Sequence, residues 1–252
     1  ASRVAANRLR ARRDAEVAAR LIEAHRCSIT MGATPFLSDL VRLPQAREYD
    51  LSSFRLFLCA GAPIPRVLLR EAADTYPSLY VMSAWGMTEN GIVTATYPGD
   101  PEAKVFETDG RALPHQAVRV VDDNDTAVAP GVEGRLQARG PTCFVGYLSR
   151  PDAYAVDDEF WFDTGDNARM DGEGYIRITG RSKDIIICGG ENVPVVEVEE
   201  LLYRHPAVVD AAVIGMPDER LGERGCAIVT LKTGAHLDLA SMVDFLGAAG
   251  MA

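Results

Sequence analysis

The segment from Trp161 to Val193, WFDTGDNARMDGEGYIRITGRSKDIIICGGENV, constrains the fold more than any other part of the chain. It is dense in glycine and aspartate, the residues of turns, yet it holds the strand patterns Tyr175–Thr179 and Asp184–Cys188. Gly180-Arg181-Ser182-Lys183 separates them. Apolar runs on either side of a polar, glycine-bearing link predict a β-hairpin with polar turns. A hairpin alone leaves three ordered polar strings without a reason: Asp163-Thr164-Gly165-Asp166, Gly180 to Asp184, and Gly189-Gly190-Glu191-Asn192.

Upstream the texture is different. Asp14 is placed to cap a helix with Val17, Ala18, Leu21 and Ile22 on one face, ending near His25. Cys27–Met31 predicts a short buried strand, and a helix is expected over Phe36–Leu43 after the turn Gly32-Ala33-Thr34-Pro35. Leu56–Cys59 is a continuous apolar run, which fits a strand buried on both faces. Ala60-Gly61-Ala62-Pro63 closes it, a helix follows over Pro65–Thr75, and Leu79–Met82 is another buried strand leading into Ser83–Glu89. Short buried strands alternating with helices predict a parallel α/β layer.

Residues 92–180 carry turn dipeptides such as Pro98-Gly99, Asp109-Gly110, Pro130-Gly131 and Asp171-Gly172 around short runs at Ala117–Val121, Gly134–Ala138 and Tyr175–Thr179. This predicts an all-β subdomain closing into a distorted barrel. From Val195 onward, helices at Glu197–Arg204 and Leu239–Ala248 flank strands at Val208–Ile214 and Cys226–Leu231, a small α+β module. The expected division is therefore 14–94, 95–182 and 183–252, with a hinge near Lys183 and no internal repeat.

Composition excludes some functions. With 252 residues, 47% hydrophobic and 25% charged, the chain suits one or two globular domains with a sizeable core. A net charge of -10 makes nucleic acid and anionic membrane surfaces poor partners. The five cysteines are far apart, odd in number and free of CxxC pairs, which predicts reduced, mostly buried thiols in a cytoplasmic protein. The four histidines have no metal spacing. No apolar run reaches membrane-spanning length, and no signal-peptide hydrophobic region is present.

Ligands of α/β layers gather at the carboxyl ends of strands. Ser83–Glu89 follows such a strand. There Trp85 offers a flat apolar face to a base, and Gly86 allows close backbone approach. The Thr88 hydroxyl suits a phosphate oxygen, and Glu89 is a hard oxygen ligand suited to Mg2+. The Asp166 carboxylate can accept from both hydroxyls of a ribose, and the Arg181 fork can donate to the same ribose or to phosphate. The alternatives are structural: a strand-end turn with a buried Trp, a turn carboxylate and a surface ion pair.

The strings taken together resemble the adenylate-forming superfamily of acyl-CoA synthetases, adenylation domains and luciferases. Ala84-Trp85-Gly86-Met87-Thr88-Glu89-Asn90 is similar to its aromatic-Gly-x-Thr-Glu motif, and Asp163–Asp166, Gly180–Asp184 and Gly189–Asn192 are similar to its later motifs. His205-Pro206-Ala207-Val208 and Ile214-Gly215-Met216-Pro217-Asp218 resemble its C-terminal domain. The resemblance implies that Trp85 flanks adenine beside Gly86, Thr88 contacts the α-phosphate, Glu89 binds magnesium, and Asp166 and Arg181 hold the ribose. Gly61, Ala62 and Pro63 would lie along the adenine plane, with Ala60 where the family has its first glycine. Lys183 stands at the hinge about which a small mobile domain turns, and Gly189, Gly190 and Glu191 would line the path of a pantetheine arm. Gly134–Tyr147 is similar to a barrel segment of the family, with Arg135 where Glu is usual, and is expected to be structural.

The activity so implied is ATP-dependent: a carboxylic acid is adenylated in a first half-reaction, and CoA takes the acyl group in a second. Transfer to a carrier-protein thiol, or nucleotide binding without catalysis, are the alternatives. Met87 and Ile64 suggest an apolar acyl pocket for medium-chain or alicyclic acids. No stretch here matches the family's Ser/Thr/Gly-rich phosphate loop or its C-terminal catalytic lysine; neither Lys104 nor Lys232 has that context. The 252 residues are thus expected to be a C-terminal portion that does not adenylate by itself, and to associate through exposed sheet edges.

Overall fold

The computed structural model describes residues 14–44, 48–150, 154, 156–182 and 185–251. The chain divides into two compact units. One gathers residues up to Arg119 with Gln137–Asp163 and Met170–Arg177; the other gathers Val120–Leu136, Thr164–Arg169 and Ile178 onward.

The first unit opens with helix α1 (Ala15–His25), capped as expected by the Asp14 carboxylate, which accepts from Val17 N at 3.0 Å. A five-stranded sheet follows in the order β1 (Ile29–Gly32), β2 (Leu56–Cys59), β3 (Tyr80–Met87), β4 (Gly91–Ala95) and β5 (Arg111–Ala112). Strands β1 to β3 are parallel, and β4 and β5 continue antiparallel. Helices α2 (Thr34–Val41) and α3 (Arg66–Thr75) supply the crossovers, and α4 (Glu102–Glu107) precedes β5. The core includes Ala19 and Ile22 of α1, Leu37 and Leu40 of α2, Leu68, Leu69 and Ala72 of α3, and Phe57, Cys59 and Val81 of the sheet.

Two expectations are corrected here. The strand near Cys27–Met31 is not buried: Ile29 and Met31 are 60% and 63% exposed, because β1 lies at the edge of the sheet. Nor is β2 buried on both faces. Phe57 and Cys59 face the core, while Leu56 and Leu58 are half-buried on the opposite face.

A buried ion pair ties α3 to the segment after α4. The Arg66 guanidinium is 3% exposed, donating to Asp109 Oδ1 at 2.7 Å and to the Thr108 carbonyl at 3.1 Å. Arg177 approaches the other oxygen of Asp109 at 3.4 Å. Lys104 pairs with Asp171 and Glu173 and lies over the Tyr175 ring, so this lysine is engaged structurally.

The barrel expected over 95–182 is absent among the described residues. Strands β6 (Ala117–Val121), β7 (Glu133–Arg139), β8 (Phe162–Met170) and β9 (Ile176–Arg181) form an open sheet in that order, while β5 of the same stretch extends the first sheet instead. The hairpin expected across Gly180–Lys183 is also corrected. β9 pairs with β8, whereas β10 (Ile186–Cys188) pairs with β11 (Glu191–Val193) and β13 (Gly222–Leu231) in another sheet. That sheet has the order β11, β10, β13, β12, where β12 is Val208–Asp218. Helices α5 (Val195–Arg204) and α6 (Leu239–Ala248) contribute Val198, Leu202, Met242 and Leu246 to a core shared with Ile186, Val208 and Val213. The α/β layer, the sheet of strands and the α+β module are thus all present.

Candidate functional site

β3 changes partners along its length. Leu56↔Tyr80 through Cys59↔Ser83 are parallel pairs with β2; Ala84↔Ala95 and Trp85↔Thr94 are antiparallel pairs with β4. The strand therefore runs five residues past the expected Met82, and Thr88-Glu89-Asn90 becomes the turn of a hairpin. Asn90 is fully buried and its Oδ1 accepts from Met87 N at 2.9 Å, which closes the turn. Gly86 is required by packing as well as by any ligand, since a Cβ there would lie 1.9 Å from the Gly91 carbonyl oxygen.

The turn presents Thr88 exposed and Glu89 half-buried. One oxygen of Glu89 accepts from the Tyr147 hydroxyl at 2.7 Å. That bond to the carboxylate, more than any other cause, raises the Tyr147 phenol above its ordinary pKa. Trp85 is 9% exposed, so little of the indole is open to a ligand.

Gly61, Ala62 and Pro63 follow β2 and are exposed. Gly61 has φ of 85°, a conformation that favours glycine, whereas Ala60 is not among the residues with positive φ. The Ala60 substitution is therefore free of backbone strain. Thr34 at the start of α2 holds this loop, its hydroxyl donating to the Pro63 carbonyl at 2.9 Å. Ile64 is 5% exposed and belongs to the core, packing inward just before α3. Met87 is half-buried.

In the other unit Asp166 lies within strand β8 rather than in a turn. Its side chain is 9% exposed and accepts from Arg181 Nε at 3.2 Å, while the Arg181 side chain is 65% exposed. Gly165, with φ of 72°, puts an irregularity into the strand beside Asp166, and its carbonyl accepts from Ser182 N at 2.9 Å. A carboxylate has two oxygens that accept hydrogen bonds, the chemistry that a ligand's hydroxyls need. Gly189 and Gly190, with φ of 61° and 91°, are the two loop residues between the paired Cys188 and Glu191. Positive φ at both central positions marks a tight hairpin turn that only glycine enters freely. Lys183, the expected hinge, lies outside the described residues.

Sequence reasoning missed Thr34 and Tyr147. Thr34 sat in an ordinary turn signal, and Tyr147 ended a segment expected to be structural. Neither is near its partner in the chain: Tyr147 is 58 residues from Glu89 and Thr34 is 29 from Pro63. Among the described residues no group of three or more His, Cys, Asp or Glu could hold a metal ion, and no helix is long and apolar enough to cross a membrane.

Parallel strands with exposed polar turns at their carboxyl ends define an α/β protein, a class whose ligands gather at those ends. The chain belongs to the AMP-binding enzyme family: the profile of AMP-binding enzyme matches residues 3–148, and that of the AMP-binding enzyme C-terminal domain matches residues 197–248. It is 44% identical over 228 residues to the medium-chain fatty-acid–CoA ligase of Escherichia coli (strain K12), a match covering 89% of this chain and 40% of the relative. It is 39% identical over 231 residues to the 3-[(3aS,4S,7aS)-7a-methyl-1,5-dioxo-octahydro-1H-inden-4-yl]propanoyl:CoA ligase of Mycobacterium tuberculosis (strain ATCC 25618 / H37Rv), covering 90% of this chain and 44% of the relative. Among solved structures, the ATP-bound MatB of Rhodopseudomonas palustris is similar with a TM-score of 0.84 at 31% identity, over 95% of this chain and 47% of that one. The amide bond synthetase McbA of Marinactinospora thermotolerans is similar with a TM-score of 0.85 at 31% identity, over 93% and 48%. The chain thus spans 40–44% of the length of these curated relatives.

Proposed function

We propose that the protein containing this chain is an ATP-dependent acyl-CoA ligase. In the first half-reaction a carboxylate oxygen attacks the α-phosphorus of ATP, and the bond to pyrophosphate breaks to leave an acyl-adenylate. In the second, the CoA thiol attacks the acyl carbon, its proton is lost, and AMP departs as the thioester forms. The observation that carries this reading is Glu89: a carboxylate on a hairpin turn at the carboxyl end of β3, one oxygen bonded to Tyr147, beside the exposed Thr88.

Thr88 would bond the α-phosphate, and Trp85 and Gly86 with the Gly61-Ala62-Pro63 loop would bound the adenine. Asp166 and Arg181 would orient the ribose through its hydroxyls. Gly189, Gly190 and Glu191 would leave backbone room for the pantetheine arm. Magnesium bound mainly by substrate phosphates asks the protein for one or two carboxylates, which Glu89 fits. When bound, the ion offsets phosphate charge. Medium-chain or alicyclic acids are the proposed substrates, in keeping with the names of the ligases in E. coli and M. tuberculosis.

A cytoplasmic setting belongs to the same reading. So does self-association along β1, supported by the exposed Ile29 and Met31; a mass by light scattering that stays monomeric at high concentration counts against it. The test of function is calorimetric titration of the full-length protein with ATP, with and without Mg2+, followed by an assay for acyl-CoA formed from octanoate. Asp166→Asn should weaken ATP binding about 10- to 100-fold, as expected for a lost charge-assisted contact. Adenosine nucleotide affinity unchanged by Asp166→Asn sinks the ribose assignment, and failure of the full-length protein to form any acyl-CoA sinks the ligase.

A further inference from the structure

The turn that carries Glu89 is held by one remote loop. Thr142 Oγ1 donates to the Asn90 carbonyl at 2.5 Å, Phe144 N donates to the Glu89 carbonyl at 2.7 Å, and the Tyr147 hydroxyl donates to Glu89 Oε1 at 2.7 Å. The loop is itself fastened. Gln116 Nε2 donates to Thr142 Oγ1 at 2.7 Å, and Tyr154 OH donates to the Phe144 carbonyl at 2.9 Å. The Phe144 ring meets Tyr147, Tyr154 and Phe162 edge-on, with centroids 4.7, 4.9 and 5.4 Å away.

Two of the three bonds to the turn end on carbonyls and would secure any hairpin. The third ends on a carboxylate. A glutamate on an open turn samples several rotamers, and each must be given up when the group binds a ligand. A hydroxyl donated from an anchored ring selects one. We propose that Tyr147 is a positioning residue: its hydroxyl holds Glu89 Oε1 so that the other oxygen is presented to a divalent cation. This rests on the reading of Glu89 as the metal-binding carboxylate.

The choice of donor fits the role. A lysine or arginine in place of Tyr147 would neutralise Glu89 and compete with the cation; a phenol fixes orientation while leaving the negative charge in place. Partners that orient a metal-binding group in this way commonly govern metal affinity. Tyr147 is 38% exposed, so its hydroxyl is a poor candidate for a mainly stabilising bond.

Tyr147→Phe removes the oxygen and keeps the ring against Phe144. ATP affinity is measured by calorimetry on the full-length protein with Mn2+ and with EDTA, for the wild type, Tyr147→Phe and Glu89→Gln, with the melting temperature recorded for each. Glu89→Gln should abolish the gain in affinity that the metal confers. Tyr147→Phe should reduce that gain about tenfold, leaving the EDTA affinity and the melting temperature as in the wild type. A metal-dependent gain retained in Tyr147→Phe but lost in Glu89→Gln overturns the positioning role and leaves the functional reading standing. Equal weakening with and without metal also overturns it, since that is what a merely structural tyrosine would give. If the wild type shows no gain from metal, or Glu89→Gln keeps it, the metal role of Glu89 fails and the role of Tyr147 falls with it.

Discussion

Cys59 ends β2 with no exposed surface, and burial pushes its thiol up from 9.0 to about 11. The Thr34 hydroxyl and the Arg66 charge pull the other way, but desolvation is the larger effect. Tyr76, whose hydroxyl donates to the buried Leu40 carbonyl, is pushed by burial from 10.0 up to about 12. In both cases the folded state holds a proton that the unfolded chain releases sooner. The stability they contribute is therefore complete below pH 9 and is lost as the pH rises through 9 to about 11 for the thiol, with the phenol extending the loss towards 12. A shift of this size corresponds to about 2–3 kcal/mol for Cys59 once the transition is complete. In urea unfolding the wild-type midpoint should fall steeply above pH 9, and Cys59→Ala, though weaker at neutral pH, should show a shallower fall. Identical alkaline slopes in the two proteins would show that this thiol does not stay protonated by burial.

At the scale of elements, the β3–β4 hairpin places Thr88 and Glu89, and Gly86 decides whether it can close. The three nearest atoms to a Cβ at Gly86 are backbone atoms of Gly91 and Ile92, at 1.9 to 2.8 Å, so no side chain can swing away to make room. Gly86→Ala should cost about 3 kcal/mol or more, as for severe overpacking, and should alter the near-ultraviolet dichroism of the adjacent Trp85. An unchanged melting temperature and spectrum would mean that the strands do not approach this closely. The sequence was informative about elements whose signals are local. The Asp14 cap marked α1, and the apolar run Leu56–Cys59 marked β2 residue for residue. β8 was hidden because Asp163, Gly165, Asp166 and Asn167 look like turn residues. Yet Phe162, Thr164, Asp166 and Ala168 are buried in strict alternation, a strand pattern in which two of the inward groups are polar. Pairing was hidden too: β9 and β10 are neighbours in sequence but belong to separate sheets, a choice made by the remote β8 and β13. The candidate residues followed the same rule. Thr88, Glu89, Asp166 and Arg181 stood in short strings, while Tyr147 became visible only where the fold brought its loop to the turn.

At the scale of the whole molecule, two apolar clusters have no residue in common. One cluster runs from Ala19 to Val81 with Leu43, Tyr49 and Phe106 packed on it; the other runs from Ile186 to Met251. Clusters that share no residue can lose their contacts in separate steps. Leu68, 2% exposed, lies in the first and Leu202, fully buried, in the second. Truncating either to alanine should cost about 2–5 kcal/mol within its own unit. Calorimetry of the full chain should therefore resolve separate transitions, with Leu68→Ala lowering one and Leu202→Ala the other. Should each substitution instead move a single shared transition by a similar amount, the cores would be energetically one. The division into units would then describe geometry alone.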